Sequence, residues 1–470
     1  MPASSSSPSN VTVISKCTVF PDQKSSMEDL KLSVSDLPML SCHYIQKGVL
    51  FTRPSIPIDF IISLLKHALS RTLSLFPPLA GRLTTDHHGY VYITCNDAGA
   101  DFIHAVGPTL HIRDILSPIH VPESAKSFFS LDRTVSYDGH FKPILLVQVT
   151  DLVDGLFIGC SVNHAVSDGT SFWNFFNTFS EVCRNGTRRI TKSPDFKRES
   201  VLISSAVLKI PEGGPKVTFN ADAPIKERIF SFSRESIQRL KAKANGGKWV
   251  DFDCAIPVAE LMGKINNNND KTWVRNSSLD SSDISSFQAL CAVLWRAVTR
   301  ARKFPSEKMT TFRMAVNYRQ RLEPKMDPYY FGNAIQSIPT YATAGDVMSR
   351  DLRWCAEQLN KNVLAHGDAT VRKFVADWER DPRCFPLGNF DGAMMTMGSS
   401  PRFPMYENDF GWGKPLAVRS GRANKFDGKI SAFPGRVGGG SVDLEVVLAP
   451  ETMSCLESDQ EFMQYITAAH

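Results

Sequence analysis

The chain has 470 residues, 42% of them hydrophobic and 21% charged, with a formal net charge of +5. That length suits two domains of roughly 200 residues each, and the composition is that of an ordinary soluble globular protein, which excludes fibrous and disordered classes. No long basic run points to nucleic acid, and no apolar run approaches membrane-spanning length.

Residues 1–10 read as a polar tail without ordered structure, lacking the basic start and apolar core of a secretory signal. Thr467 to His470 carry no sorting tripeptide. The ten cysteines are dispersed, with no C-x-x-C pair and no Cys/His spacing for zinc, so they read as reduced thiols and no metal site is expected. The cytoplasm is the expected location, and the sequons at Asn10, Asn185 and Asn276 are expected to stay unmodified.

From residue 11 to about 190, strand and helix signals alternate. Ile56 to Leu75 reads as a helix with Ile61, Leu64, Leu65, Ala68 and Leu75 on one face, and Asp86-His87-His88-Gly89 as a polar hairpin turn. Leu145 to Thr150 and Leu156 to Val162 are β-rich runs on either side of Asp154-Gly155, a strong hairpin signal. Next comes Asn163-His164-Ala165-Val166-Ser167-Asp168-Gly169, after which Phe172, Phe176, Phe179 and Cys183 recur at helical spacing. His164 is therefore expected at a strand end and Asp168 and Gly169 at the start of a helix running to Arg184. A histidine held between two rigid elements is suited to take a proton near neutral pH.

Residues 191–225 are expected to form a crossover linker, with Pro211-Glu212-Gly213-Gly214-Pro215 its strongest breaker. Asn266 to Asp270 reads as a surface loop, and Ser285 to Arg302 as a second strong helix. Asp409-Phe410-Gly411-Trp412-Gly413-Lys414-Pro415 reads as a fixed turn. Gly435 to Ser441 lacks the Gly-Lys-Ser/Thr ending of a nucleotide loop, and no G-x-S-x-G elbow occurs.

The pair H-x-x-x-D-G at 164–169 and D-F-G-W-G at 409–413 resembles the signature pair of the plant BAHD acyltransferases, in that family's order and places. Leu32 to Leu37, Phe76 to Leu83, Asn317-Tyr318-Arg319 with Tyr330 to Asn333, and Gly438 to Asp443 resemble further landmarks. Met39 to Gly48 and Gly398 to Phe403 are similar to a branch of defence- and cuticle-associated members.

The resemblance implies an α/β fold of two chloramphenicol-acetyltransferase-like domains, mixed sheets plus helices, spanning 11–190 and 226–470, with the active site in the channel between them. It implies acyl transfer from acyl-CoA, as co-substrate and not as a permanently bound cofactor, to an alcohol or amine of a plant specialised metabolite. His164 would be the general base in a ternary complex without acyl-enzyme, in a monomer with no nucleic-acid or membrane partner. Asp168 would pair with an arginine instead of orienting the ring, with Arg296, Arg300 and Arg302 as candidates; Gly169 and Asp409, Phe410, Gly411, Trp412 and Gly413 would be structural.

For the phosphates of coenzyme A the candidates are Ser286, Arg319 and Arg321. Relatives that transfer hydroxycinnamoyl groups carry Thr-x-Trp where this chain has Gly398 and Ser400. Ser400 is thus the candidate on the oxyanion side, and His43 a candidate on the acceptor side. No group of cations legible in the sequence marks a carboxylate-bearing acyl group. Lyase-type chemistry on the same fold and a non-catalytic ligand-binding descendant are the alternatives, and the intact His164 argues against both.

Overall fold

The structure is a computed structural model describing residues 11–198, 202–247 and 283–467. The 1–10 tail, the 266–270 tract, the sequons at Asn10 and Asn276 and the last three residues lie outside the described residues.

The first part of the chain forms β1 (Thr12–Val19), β2 (Leu30–Lys31), β3 (Ile45–Thr52), α1 (Ile58–Leu75), β4 (Arg82–Thr85), β5 (Val91–Thr94), β6 (Ala100–Gly107), α2 (Ile112–Leu116), β7 (Leu145–Leu152), β8 (Gly155–Val162) and α3 (Gly169–Asn185). The second part opens with β9 (Lys226–Phe232), α4 (Arg234–Ala244), α5 (Ser286–Arg302), β10 (Met309–Asn317), β11 (Ile335–Thr343), α6 (Ala344–Ser349), α7 (Leu352–Ala365) and α8 (Asp368–Arg380). It ends with β12 (Met394–Met397), β13 (Ala417–Ser420), β14 (Lys429–Pro434), β15 (Val442–Leu448), α9 (Pro450–Glu457) and α10 (Gln460–Met463).

Two six-stranded sheets result, in the orders β1-β6-β7-β8-β3-β13 and β11-β10-β12-β14-β15-β9, beside a small sheet β2-β5-β4. Both large sheets are mixed: β6 runs parallel to β7, and β12 runs parallel to β10 and β14. The apolar faces of α1 and α3 cover the first sheet, so Leu65, Leu69, Phe172, Phe176 and Phe179 share a core with Val147, Ile158 and Val162. On the second sheet α4, α5 and α7 bring Leu240, Leu294 and Leu359 against Phe312, Ile430 and Leu444. The 145–162 hairpin and the α1, α3 and α5 helices lie within two residues of their expected limits, because each combines a strong period with a terminal signal.

One strand departs from the expected division at 226. The β13 segment pairs antiparallel with β3, Ala417 opposite Leu50 and Ser420 opposite Lys47, so a piece of the 226–470 stretch completes the first sheet. Its physical reason is the exposed edge β3 would otherwise leave, which this short strand closes while burying Ala417 and Val418. The 191–225 segment carries no strand or α-helix among its described residues, and it ties the halves through bonds such as Thr218 Oγ1 to the Leu387 carbonyl at 2.6 Å.

Where β3 crosses β8, Gly48 faces Gly159, and a Cβ on Gly48 would stand 2.7 Å from the Ile158 carbonyl oxygen and against the Phe157 ring. Gly48→Val is therefore expected to destabilise the protein by about 1–3 kcal/mol, read as a lower urea midpoint at unchanged slope. A change within about 0.5 kcal/mol would contradict the tight crossing.

Candidate active site

The turn between β8 and α3 is built by Asn163. Its backbone N–H donates to the Ile144 carbonyl (2.9 Å), its Nδ2 to the Ser136 carbonyl (2.7 Å), and its Oδ1 accepts from the Ala165 N–H at 2.9 Å. His164 hangs on this frame: its N–H donates to Ser136 Oγ (3.0 Å) and its carbonyl accepts from Asn333 Nδ2 at 2.8 Å. Asp168 then caps α3, accepting from the Ser171 N–H at 3.0 Å.

The arginine partner of Asp168 is Arg319. Nη1 and Nη2 reach the two carboxylate oxygens at 2.7 and 3.1 Å, and the Ala334 N–H adds a bond of 3.0 Å. Both side chains are at most 1% exposed. Burial would raise the Asp168 pKa, but the Arg319 charge and hydrogen bonds and the Ser171 and Ala334 amides more than reverse this and hold it below the usual carboxylate value.

Arg319, expected on a phosphate, is thus committed elsewhere; its Nη2 also donates to the carbonyls of Tyr330 (2.9 Å) and Gly332 (3.1 Å). Arg296, Arg300 and Arg302, expected partners of Asp168, lie on other groups: the Val347 carbonyl, Asp459 and Asp427 respectively. They face away because α5 presents its polar side to α6, α10 and the turn before β14. Asn333 joins this centre to the Leu32–Leu37 landmark, donating from N and Nδ2 to Asp36 Oδ1 at 2.9 Å each.

The His164 ring is half-buried, with Nδ1 enclosed and making no full hydrogen bond. Nε2 is the accessible nitrogen, and no partner occupies it among the described residues. Burial pushes the imidazole below its ordinary 6.5 and the Lys429 cation pushes the same way, while the carbonyls of His164 and Ser167 and the charge of Asp168 oppose. Gly169 admits the Phe403 ring, whose nearest atom would be 2.8 Å from an added Cβ; the 398–403 loop therefore lies against this turn.

Asp409 to Gly413 sit at the other end of α3. Asp409 Oδ1 accepts from the N–H groups of Gly411 (2.9 Å) and Gly413 (3.0 Å), whose φ values of +108° and +99° favour glycine. Phe410 is buried against Phe179 (centroids 5.1 Å) and stacks on Trp412 at 5.6 Å. Arg184 donates to the Asp409 carbonyl at 3.3 Å. Phe179 lies ten residues along α3 from Gly169, which at 1.5 Å per residue is about 15 Å from the turn that holds His164.

The remaining candidates scatter. Ser286 opens α5, but the cap is Ser285, whose Oγ accepts from the Gln288 N–H. Arg321 Nη1 donates to the carbonyls of Val363 (2.7 Å) and His366 (2.8 Å), tying down the end of α7. Ser400 Oγ accepts from the Arg402 N–H at 3.2 Å within its own turn. His43 lines a cavity of about 580 Å³; its Nδ1 accepts from the Asn424 N–H, and burial lowers it to about 4, so it is neutral with the proton on Nε2. What the sequence concealed is Lys429, beside Gly398, together with Lys47, Lys126 and Lys425 around Glu227 and Glu445.

Among the described residues no group of three or more His, Cys, Asp or Glu side chains could hold a metal ion, and no helix is long and apolar enough to cross a membrane.

Two mixed six-stranded sheets, joined by β13 and by the buried Asp168–Arg319 pair, hold a histidine at a strand end. The chain matches the Transferase family over residues 9–463 and belongs to it: it is a BAHD acyltransferase. It is 33% identical to an uncharacterised acetyltransferase of Arabidopsis thaliana, over 97% of this chain and 99% of that one. With the BAHD acyltransferase DCR of the same plant it shares 30% identity over 96% and 92%. The fold is also that of F. sporotrichioides TRI101, a structure described as complexed with coenzyme A and T-2, at a TM-score of 0.68, 18% identity and coverage of 93% and 99%.

Breaking the buried pair from one side strands a charge, so Arg319→Met is expected to lower unfolding free energy by about 3–5 kcal/mol at pH 7, measured by urea denaturation. Because the folded-state pKa of Asp168 is lowered, its contribution is complete above the unfolded value of about 3.9 and is lost as pH falls through the folded one. The stability gap between wild type and Asp168→Asn should accordingly narrow below about pH 4; a gap that stays constant there would show that Asp168 is not the titrating partner.

Proposed function

We propose that the protein transfers an acyl group from an acyl-CoA thioester to an alcohol or amine of a plant specialised metabolite, with His164 as the general base. The observation that carries this reading is the accessible, unpartnered Nε2 on a ring whose backbone is held from both sides. As the acceptor oxygen or nitrogen bonds to the thioester carbonyl carbon, its proton passes to Nε2; when the tetrahedral adduct collapses, the C–S bond breaks and the imidazolium returns that proton to the leaving thiolate. Ser400, whose hydroxyl hydrogen is free to turn outward from its loop, is our candidate donor to the oxyanion.

Attack on a bound thioester in a ternary complex, without acyl-enzyme, is supported by the thiols: burial raises Cys42, Cys95 and Cys183 to about 12, so none is a ready thiolate. The coenzyme A complex of TRI101 supports coenzyme A as carrier and co-substrate. Its phosphates would meet the start of α5 at Ser286 more readily than Arg319 or Arg321, whose guanidinium groups are engaged. Asp168, Gly169 and residues 409–413 would act through the frame. Nine free thiols among the described residues fit a reducing compartment such as the cytoplasm.

His164→Ala should cut thiol release by about a hundred- to ten-thousand-fold while leaving the unfolding midpoint near wild type. In the wild type, neutral imidazole is the active form and its pKa is lowered, so kcat/KM should hold through pH 6.5 and fall only on further acidification. A variant without His164 that turns over at the wild-type rate would overturn the assignment.

A further inference from the structure

The seam between the two large sheets encloses four lysines. Lys126 and Lys425 both reach Glu227, and Lys425 also reaches Glu445 at 2.9 Å. Glu445 lies on β15 and accepts from Ser420 of β13 at 2.6 Å, so the group spans both sheets. Lys47 projects from β3 over the Phe433 ring at 4.7 Å, and Lys429 projects from β14 into the space left by the missing side chain of Gly398. Among the described residues Lys47 and Lys429 make no hydrogen bond or ion pair, and both retain accessible surface in the interior.

Four ammonium groups against two carboxylates leave two positive charges unanswered in an enclosed space. Such charge is costly unless something completes it. Burial, with the neighbouring lysines opposed by Glu445, lowers Lys47 to about 8; burial also lowers Lys429 to about 8, as expected of cations short of counter-charge. Their position tells which end of the reaction is served. Lys47 stands opposite Cys160 of β8, four residues before His164, and Lys429 enters the space at Gly398, on the loop whose Phe403 packs against Gly169, while Lys425 and Glu227 line the 580 Å³ cavity with His43. The phosphates of coenzyme A are separated from its thiol by the whole pantetheine arm, so cations beside the base answer to the reacting end.

We infer that Lys47 and Lys429 receive a carboxylate carried by one of the two reactants, so that this enzyme acts on an acidic acceptor or an acidic acyl group. The inference rests on the acyl-transfer reading above. A carboxylate there completes the charge of the seam, and a neutral isostere leaves it open.

The test uses the full-length protein and free thiol release. One arm compares malonyl-CoA with its neutral isostere isovaleryl-CoA on a panel of plant alcohols; the other compares plant hydroxy acids with their primary amides under acetyl-CoA. The wild type should prefer the carboxylate member of one arm by about tenfold or more in kcat/KM, chiefly through KM, the size expected of a hydrogen bond to a charged group. The arm that responds identifies the source. In Lys429→Gln, and separately in Lys47→Gln, that ratio should fall toward unity, with unfolding midpoints confirming folded protein. Equal or reversed preference in both wild-type arms overturns the inference, needing no variant, as does a ratio untouched by either folded variant. Release of no thiol with any pair overturns the acyl-transfer reading itself.

Discussion

The buried ion pair of Asp168 with Arg319 is the constraint around which the site is arranged. Its members are 151 residues apart, one at the start of α3 and the other in the loop following β10, and neither would be tolerable alone at such burial. Because Asp168 is also the cap of α3, the pair locks that helix start against the loop following β10. This structural role consumes the carboxylate, since two bonds to Arg319 and two to backbone amides leave it nothing to offer the imidazole. The His164 ring therefore has no carboxylate hydrogen-bond partner, and its backbone is held by Ser136 on one side and Asn333 on the other.

The same helix explains why the second motif is remote from the first. One end of α3 carries Asp168; the other meets Phe410 through Phe179 and the Asp409 carbonyl through Arg184. A helix held at both ends resists a shift of its first turn, so the 409–413 loop bears on the His164 turn only through the packing of α3. Its glycines supply the positive φ values the turn requires, and its aromatics supply the packing. The neighbouring β13 then returns along β3 beside Lys47, which brings the loop, the first sheet and the lysine group into one connected seam.

Much of this was legible in the chain, for reasons that differ by element. The 145–162 hairpin and α1, α3 and α5 carry both a period and a terminal signal, and Asp409 with its two glycines announces a turn. Pairing across sheets has no local signal. Arg296, Arg300 and Arg302 looked eligible for Asp168 because they are cations on a strong helix, whereas Arg319 gave no hint that it would be buried. Likewise Lys47, Lys126, Lys425 and Lys429 are single charges far apart in sequence. The one clue is Lys47, beside Gln46 in the mostly apolar run Ile45 to Phe51, a position where an ammonium must find either water or a counter-charge. The entry of β13 into the first sheet was equally hidden, since a four-residue strand carries too little pattern to declare its partner.

In the proposed reaction one imidazole, shaped by enclosure and not by a carboxylate partner, carries the proton. Nitrogen NMR of histidine-labelled protein, with the His164 resonance assigned by its loss in His164→Ala, gives the titration midpoint of that ring, and kcat/KM against pH gives the acidic limb of turnover. The two midpoints are expected to coincide, both below 6.5, with Nε2 the nitrogen that gains the proton. A rate limb that departs from the His164 titration, or protonation at Nδ1 with Nε2 already carrying hydrogen, would contradict it.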